Sequence, residues 1–497
     1  MALSIHQKPL YDLLPSGEKI IFTVKNLQAV TTYKKVKYIA RVYVAKLTSD
    51  LGTSSNLGAS SLVATLKTNP NSAGVGIFDL SPILDNYVSP DFEGGDGKSD
   101  GTPDESEYKQ SPFSNERHSI HTIDKYCANQ NACKYFRVVF NMEYAGAAGG
   151  GTTIQDPVGE TSAYVTSEEH LIFNGFLDDN DILKESGGDY GYHLSWNDWI
   201  MAGTSDQFLT NAPKKQYIRE DDYATLAFFN NLKSSGSYQT IPKSFEIGSG
   251  SATWGSVKFV KAQFYYNGST AGSVIQFQIT YNGAYHATNT SDSNHKLHYR
   301  GVGPANLENG GSSIPANWDY YTIIAYDDDN QVISDTYEFH KQDDSCKGYE
   351  TIRLTWLNKF GVWDYYNFTQ KNIRTYEKES VTYEQQDGTW NGDKFVIDGY
   401  KGGQRIYKHK ATELITLNSN FITEEECQWL EELFISSEVF ILKQNSTDYN
   451  NQGIIRKYLE PVVMSSGEFI RKTTANDGKK QITIQIQKSK NRKTHRI

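Results

Sequence analysis

The sequence predicts a mainly β protein, with two antiparallel β-sandwich-like domains followed by a small α+β module. Three observations lead to this fold class. Apolar residues recur at every second position in several short runs, turn-forming pairs such as Asn267-Gly268 lie between runs of this kind, and a helical apolar pattern is convincing only near the C-terminal end. Strands with one apolar and one polar face are typical of antiparallel sheets that bury a single side.

The alternating runs are distributed along the whole chain. Their apolar positions alternate mostly with polar or charged ones, so we expect one face of each strand to be buried and the other to contact water. The runs with this pattern are 36–44, 136–142, 275–281, 352–356 and 482–486.

A length of 497 residues indicates about three domains, at roughly 150 residues each. We predict a sandwich-like domain over residues 1–210, a second over 211–378 and the α+β module over 379–497. The acidic stretch 91–107 and the Gly-rich stretch 145–153 are expected to be loop insertions in the first domain. The last residues, 488–496, are rich in Lys and Arg and are expected to form an exposed tail, with a contact to an acidic partner surface as the alternative.

The predicted helix lies in the third domain. Thr423 and Glu426 have the spacing of a capping box, in which each residue satisfies a backbone amide of the other. The apolar face that follows predicts either packing on the module's own sheet, with 482–486 as the natural partner, or docking on a neighbouring subunit. The candidate docking residues are Trp429, Leu430, Leu433 and Phe434, beside Cys427.

Composition and charge exclude several classes of protein. A net charge of -10 argues against a body that coats nucleic acid. No apolar run approaches the ~18 residues that a membrane span needs, and the residues after Met1 lack the pattern of a secretory signal. We therefore expect a protein made in the cytoplasm. Four cysteines in this length do not make a disulfide scaffold.

No catalytic motif has the structural context that it requires. Gly97-Lys98-Ser99-Asp100-Gly101 matches a nucleophile-elbow pattern, but it lies in a charged loop without the flanking strand and helix. We therefore predict neither an enzyme nor a cofactor. Four potential zinc ligands do lie close together, and a hairpin disulfide or simple thiols and surface histidines compete with a metal site there. These weak candidates are His118, His121, Cys127 and Cys133.

An aromatic cluster surrounds a predicted turn at residues 359–361. Gly361 is expected to adopt the positive φ that such a turn needs. Two alternatives remain open for the cluster: a cross-strand aromatic core, or an exposed aromatic platform that binds glycans or a partner subunit. The platform candidates are Trp356, Trp363, Tyr365 and Tyr366.

This hairpin resembles one that recurs in large virion proteins of tailed bacteriophages, particularly those of Bacteroidetes-type hosts. The resemblance covers residues 346–370 and is centred on 356–368. The upstream segment 301–307 is similar to a segment that precedes the hairpin in those proteins. The C-terminal pattern of Leu417, 429–433, 436–439 and 461–462 is also similar to a tail-module domain that docks on a neighbouring subunit. In total, the resemblance extends loosely over residues 218–487, and it assigns no catalytic residue to this sequence.

The resemblance implies a structural role in a virion that is assembled in the host cytoplasm. The expected function is that of a tail, baseplate or collar subunit that forms a symmetric homo-oligomeric ring and contacts other tail subunits. The alternative is a glycan- or receptor-binding fibre or adhesin, which the Tyr and Trp content favours. A carbohydrate-active enzyme would need two convergent carboxylates in a cleft, and the sequence offers no such pair.

Overall fold

The structure is a computed structural model of the 497-residue chain. The acidic stretch 91–107, most of 145–153, His118 and His121 fall outside the residues that it describes. Those residues are 3–9, 13–90, 126–128, 131–145, 159–160, 164–176, 200–201, 207–230, 233–234, 237–238, 257–278, 280–281, 284–285, 296–309, 313–327, 330–342, 348–391, 393–442, 459–469, 480–490 and 492–493.

The prediction of a mainly β fold with antiparallel sheets is confirmed, although three of the sheets each carry one edge strand that pairs in parallel. The first strands are β1 Ser4–Gln7, β2 Leu13–Pro15, β3 Ile21–Lys25, β4 Lys34–Ala45, β5 Leu62–Thr68, β6 Val75–Asp79, β7 Tyr126–Ala128, β8 Cys133–Ala145, β9 Gly159–Glu160, β10 Val165–Thr166, β11 His170–Phe173 and β12 Ile200–Met201. The next are β13 Lys215–Ile218, β14 Thr225–Asn230, β15 Lys233–Ser234, β16 Ser237–Tyr238, β17 Phe259–Tyr266, β18 Ser269–Gln278, β19 Thr280–Tyr281, β20 Ala284–Tyr285, β21 Leu297–Gly301, β22 Tyr320–Tyr326 and β23 Tyr337–Lys341.

The remaining strands form the C-terminal part of the chain, and helices are few and short among the described residues. These strands are β24 Ile352–Leu357, β25 Trp363–Phe368, β26 Ile373–Gln385, β27 Gly388–Asn391, β28 Lys394–Ile397, β29 Gly403–Asn418, β30 Val439–Leu442, β31 Leu459–Met464, β32 Thr483–Lys488 and β33 Arg492–Lys493. The helices are α1 Gln28–Thr31, α2 Ser81–Leu84, α3 Pro304–Asn309 and α4 Glu424–Ile435.

The described chain divides into two compact units. Unit 1 comprises residues 1–341 and 357–364, and unit 2 comprises 342–356 and 365–497. The division differs from the predicted boundary at 378, because β24 pairs with β30 in one sheet of unit 2. The division of residues 1–378 into two domains at 210 stays a prediction.

The first part of unit 1 is a sandwich. A three-stranded sheet, β1-β3-β6, packs on a larger sheet ordered β2-β11-β8-β4-β5. Phe22 of β3 lies 5.7 Å from Phe140 of β8, and Phe78 of β6 lies at the same distance from Phe140. These aromatic contacts between the sheets mark the centre of the core.

The larger sheet is buried on parts of both faces, although the sequence predicted one wet face. Ile39 and Tyr43 of β4 are fully buried on the side opposite to Phe140. The loop after β4 covers that side, because the Tyr43 hydroxyl donates to Leu57 O at 2.8 Å and its ring contacts Gly52. An apolar residue on the predicted wet face therefore signals a covering loop.

The second part of unit 1 contains a four-stranded sheet, β12-β14-β21-β7, and a five-stranded sheet, β13-β23-β22-β17-β18. Phe208 connects them, with its ring 5.9 Å from Phe228 of β14 and 5.2 Å from Tyr337 of β23. The Asn267-Gly268 turn between β17 and β18 has positive φ at both residues, as the hairpin prediction requires.

Unit 2 contains one eight-stranded sheet, in which the order is β25-β24-β30-β31-β32-β29-β26 and β33 pairs with β29. Two short strands, β27 and β28, form a separate hairpin between β26 and β29. The predicted row Ile482, Ile484 and Ile486 is buried, which agrees with the alternation.

Candidate functional site

The predicted aromatic platform is buried. Trp356 is fully buried, Trp363 and Tyr365 are buried, and Tyr366 is half-buried. The ring of Trp356 lies 5.1 Å from that of Trp429 in α4. The exposed-platform hypothesis is therefore wrong for the two tryptophans and Tyr365, because intrachain packing already covers them. The other alternative, a cross-strand aromatic core, fits their burial.

The hairpin turn is determined by one asparagine and one glycine. Asn358 Oδ1 accepts the amides of Phe360 and Val362 at 3.0 and 3.3 Å, and its Nδ2 donates to Leu209 O at 2.9 Å. Gly361 has φ +71°, and a Cβ there would lie 1.6 Å from Asn174 O. Both the backbone conformation and the available space therefore exclude any side chain at Gly361.

The predicted docking helix also packs inside the chain. The capping box at Thr423 and Glu426 is present, and α4 ends at Ile435. Trp429, Leu430 and Leu433 are buried, whereas Phe434 is half-buried with its ring 5.8 Å from Phe469. Since the single chain buries this face, packing on its own unit is the alternative that the structure supports.

The four candidate zinc ligands lie partly outside the described residues. His118 and His121 lie outside them, Cys127 is described only as part of β7, and Cys133 is buried in β8. Within the part of the chain that the structure describes, no three His, Cys, Asp or Glu side chains are grouped to bind a metal.

The segment 301–307, which carries part of the resemblance, has a structural role. A Cβ at Gly303 would lie 2.5 Å from Asp222 O, so only glycine fits there. Asn306 is fully buried, and its Oδ1 accepts the amide of Ala224 at 2.8 Å. The motif therefore fixes a corner between α3 and the start of β14.

A row of rings crosses the outer face of the five-stranded sheet. Tyr265 stacks on Tyr320 at 4.7 Å, and Tyr320 stacks on His340 at 5.0 Å. These pairs are direct cross-strand neighbours, so the rings cover each other's faces. A sugar stacks on a ring face, and neighbouring rings cover both faces of Tyr320. We therefore interpret the row as cross-strand packing that stabilises the sheet, and not as a glycan-binding site.

Among the described residues of unit 2, most of the exposed large apolar side chains lie elsewhere, on residues 373–418, which we call the ribbon. The ribbon comprises the paired strands β26 and β29, with the β27–β28 hairpin between them. Twelve of the thirteen residues of β26 are exposed, and so are all four residues of β28. The exposed large apolar side chains of the ribbon are Ile373, Tyr376, Val381, Tyr383, Phe395, Val396, Ile397, Tyr400, Ile406 and Tyr407.

The ribbon extends beyond the strands that pair with its base. β32 pairs with residues 414–418 of β29, and β33 pairs with 410–411. Within the described chain, residues 403–409 pair only with β26, and β26 pairs only with β29. At about 3.3 Å per residue, β26 is about 43 Å long.

An ion network around the buried Glu413 anchors the base of the ribbon. Glu413 of β29 is buried and lies 3.2 Å from Arg374 and 3.3 Å from Lys488. Arg374 also donates to both carboxylate oxygens of Glu350, at 2.6 and 2.7 Å. A buried carboxylate needs such partners, and together they fix where the exposed ribbon leaves the packed sheet.

A polar cluster fixes the tip. Thr389 donates to Asp398 at 2.5 Å, and Lys401 pairs with Asp398 at 3.2 Å. The hydrogen bond from Thr389 and the nearby Lys401 lower the pKa of Asp398 below its ordinary value. Ile397 and Tyr400, on either side of this cluster, are 77% and 73% exposed. The tip is therefore held in shape while it presents apolar surface to solvent.

The sequence contained a signal for the ribbon. Residues 373–385 and 404–410 are runs of β-branched, aromatic and charged residues, and Asp398-Gly399 and Gly402-Gly403 lie between them. Long runs with charge on both faces predict strands without a buried side. The predicted domain boundary at 378 obscured this signal, because it falls inside β26.

Comparisons with known proteins give no family. No family model matches the chain, and no curated protein matches it. Among solved structures, native alpha-2-macroglobulin of E. coli is similar with a TM-score of 0.18 and 8% identity, over 83% of this chain and 21% of that one. The trypsin-activated form has a TM-score of 0.17 and 7% identity, over 97% and 23%.

A mutant of Salmonella alpha-2-macroglobulin is similar at the same level, with a TM-score of 0.17 and 9% identity, over 83% of this chain and 21% of that one. The chain thus spans less than a quarter of these proteins. Similarity this weak carries no conclusion about fold or function. Separately, the described residues contain no helix that is long and apolar enough to cross a membrane.

Proposed function

We propose that this chain is a non-enzymatic structural subunit of a tailed-phage virion, at the tail, baseplate or collar. The single observation that carries a structural role is the ribbon, an exposed two-stranded arm with an apolar tip. Isolated exposed apolar side chains are ordinary, but ten of them on one 46-residue segment indicate a surface that a partner covers. The phage context rests on the resemblance at 301–307 and 346–370.

The tip has the features of a preorganised contact. Asp398, Thr389 and Lys401 hold its shape, so little conformational entropy remains to be lost when a partner covers Ile397 and Tyr400. In the proposed assembly, ribbons contact neighbouring subunits of a symmetric homo-oligomer or other tail subunits.

The alternative, a glycan- or receptor-binding fibre protein, has less support. The aromatic side chains that suggested a platform, Trp356 and Trp363, are buried. In the stacked row, neighbouring rings cover both faces of Tyr320. Neither feature provides the flat exposed ring on which a sugar stacks.

The test is incorporation into particles. In cells that produce the chain from its native genome, we expect it to band with DNA-containing particles in a density gradient. Tyr400→Ser should reduce incorporation at least tenfold, because it removes apolar contact from the tip. Phe421→Ser is the matched control, since Phe421 is equally exposed, at 73%, but lies outside the ribbon. Absence of the wild-type chain from particles, or equal losses for both variants, would contradict the proposal.

A further inference from the structure

We propose that β26 pairs edge to edge with β26 of a second copy of this chain, antiparallel and about a twofold axis at Val381. The partner of the ribbon is thus a second copy of the chain. This inference rests on the proposed function only for its biological context. β26 ends its sheet, and all but its last residue are exposed, so among the described residues none pairs with its outer edge. An edge of this length presents a row of backbone donors and acceptors to another strand.

Symmetry restricts how two identical edges can pair. A twofold axis normal to the sheet keeps each side chain on its own face, so the residue at the axis lies opposite itself. Residues equally far before and after the axis then lie opposite each other. Each possible register is therefore defined by its central residue, and the charges on β26 distinguish between these registers.

Three central registers are unfavourable. An axis at Glu377, Lys378 or Glu379 places that charged residue directly opposite its own copy, and like charges in this position are destabilising. Axes at Ser380 or Thr382 avoid this repulsion at the centre but bring no opposite charges together. These registers therefore lack electrostatic complementarity.

The register centred on Val381 is complementary. Val381 lies against itself, Ser380 lies against Thr382, and Lys378 lies against Glu384 of the other copy, twice by symmetry. No like charges are opposed along this register. Opposite-charge and β-branched cross-strand pairs each stabilise an antiparallel sheet. Tyr383 also lies diagonally across from Val381 of the second copy.

The outer edge of β26 is continuous at this position. In the pairing with β29, Val381 is opposite Lys408 and Thr382 is opposite Ile406. The extra residue, Tyr407, is therefore on β29, so the bulge leaves the β26 backbone regular. Pairing would create a four-stranded sheet from two ribbons, and two rings could join through such contacts.

A cysteine at the axis tests the register. Val381→Cys should give a covalent dimer under mild oxidation, because the two thiols lie opposite each other. Glu377→Cys is the matched control on the same exposed edge. Its two copies would lie eight residues apart along the strands, about 26 Å, which no disulfide spans. Equal cross-linking at both positions, or none at Val381→Cys, would overturn the inference.

A charge exchange tests the complementarity without cysteines. In light scattering over about 1–100 µM, the full wild-type chain should show a concentration-dependent dimer, or larger oligomers built from it. Lys378→Glu should weaken this association about tenfold, equivalent to about 1.4 kcal/mol. The double variant Lys378→Glu with Glu384→Lys should restore it, whereas Lys215→Glu, at an exposed position outside the ribbon, should leave it unchanged. A strict wild-type monomer, or no restoration, would overturn the pairing.

The two proposals can fail separately. If the chain enters particles but Val381→Cys gives no dimer, the twofold pairing is wrong and the structural role stands. If the chain dimerises at Val381 but never bands with particles, the pairing stands and the virion role is wrong.

Discussion

Two strands of the eight-stranded sheet, β24 near one end and β26 at the other, begin with the same dipeptide, Ile-Arg, in opposite environments. In β24, Ile352 and Arg353 are 4% and 3% exposed. In β26, Ile373 is 51% exposed, and the Arg374 side chain is 37% exposed. β24 lies between β25 and β30, whereas β26 is an edge. Position in the sheet, and not residue type, therefore decides which aromatic strands form core and which remain available to a partner.

Each arginine is accommodated according to its position. Arg353 donates to Asn367 Oδ1 at 3.0 Å and lies over the Tyr365 ring, so a buried cation is satisfied by neighbouring side chains. Arg374 pairs with Glu350 and Glu413 at the point where the ribbon leaves the sheet. The same residue type is a core group at one end and an anchor at the other.

The largest difference between the two ends should appear on truncating an aromatic residue. We expect Trp356→Ala to lower the free energy of unfolding by about 3–5 kcal/mol, because it leaves a cavity against Trp429. Tyr400→Ala in the ribbon should change it by less than about 0.5 kcal/mol. Urea unfolding of the full chain measures both values. Similar losses for the two variants would show that the ribbon is part of a core.

The face of α4 provides the next comparison. Leu430→Ala should cost about 2–4 kcal/mol, because Leu430 is buried within unit 2. Ile435→Ala, on the same helix but 60% exposed, should cost less than about 0.5 kcal/mol. Light scattering should show that neither variant changes the oligomeric state. Loss of association by Leu430→Ala without loss of stability would restore the docking interpretation.

Some of the site followed from local sequence rules. The capping box at Thr423, the positive φ at Gly361 and the buried row at 482–486 each depend on a few neighbouring residues, and the structure agrees with all three. The neighbours of a strand do not follow from such rules. The sequence could not show that β30 lies beside β24, so it could not decide whether Trp356 was core or exposed.

The same limit explains the displaced boundary at residue 378. That boundary assumed that the hairpin 352–368 completes the second domain, but β24 pairs with a strand about 90 residues later. A truncated chain 1–378 would cut β26 and remove β30. It would therefore disrupt the sheet that contains Trp356, so it cannot test whether the earlier domains fold independently.

The helix cap should have a moderate effect. We expect Thr423→Ala to cost about 1 kcal/mol, because the side chain accepts the Glu426 amide and the Glu426 carboxylate accepts the Thr423 amide at 2.8 Å. Thr423→Ser keeps the hydroxyl and should cost much less. Thermal unfolding compares them, and an equal loss in both variants would show that the methyl group matters more than the cap.

The smallest expected effect is at Glu438, between α4 and β30, where burial raises the carboxyl pKa above its ordinary value of 4.5. Because the pKa is higher in the folded state, the ionised carboxylate lowers the free energy of unfolding at pH values above that pKa. This loss of stability disappears as the pH falls below 4.5, where the carboxyl is protonated in both the folded and the unfolded state. Glu438→Gln should therefore stabilise the protein at pH 7, by less than about 1 kcal/mol because the side chain is partly exposed. The gain should vanish near pH 4.

The matched control for Glu438 is Glu425→Gln, in the first turn of α4, where a negative charge interacts favourably with the helix dipole. Removing that charge should destabilise the protein slightly at pH 7, by about 0.3–1 kcal/mol, which is the opposite sign to Glu438→Gln. Thermal unfolding of both variants at pH 7 and pH 4 measures the two effects together. If Glu438→Gln also destabilises the protein at pH 7, the Glu438 carboxylate makes a favourable contact that outweighs the cost of its burial. The packed end of the sheet would then depend on charged side chains, as the base of the ribbon does.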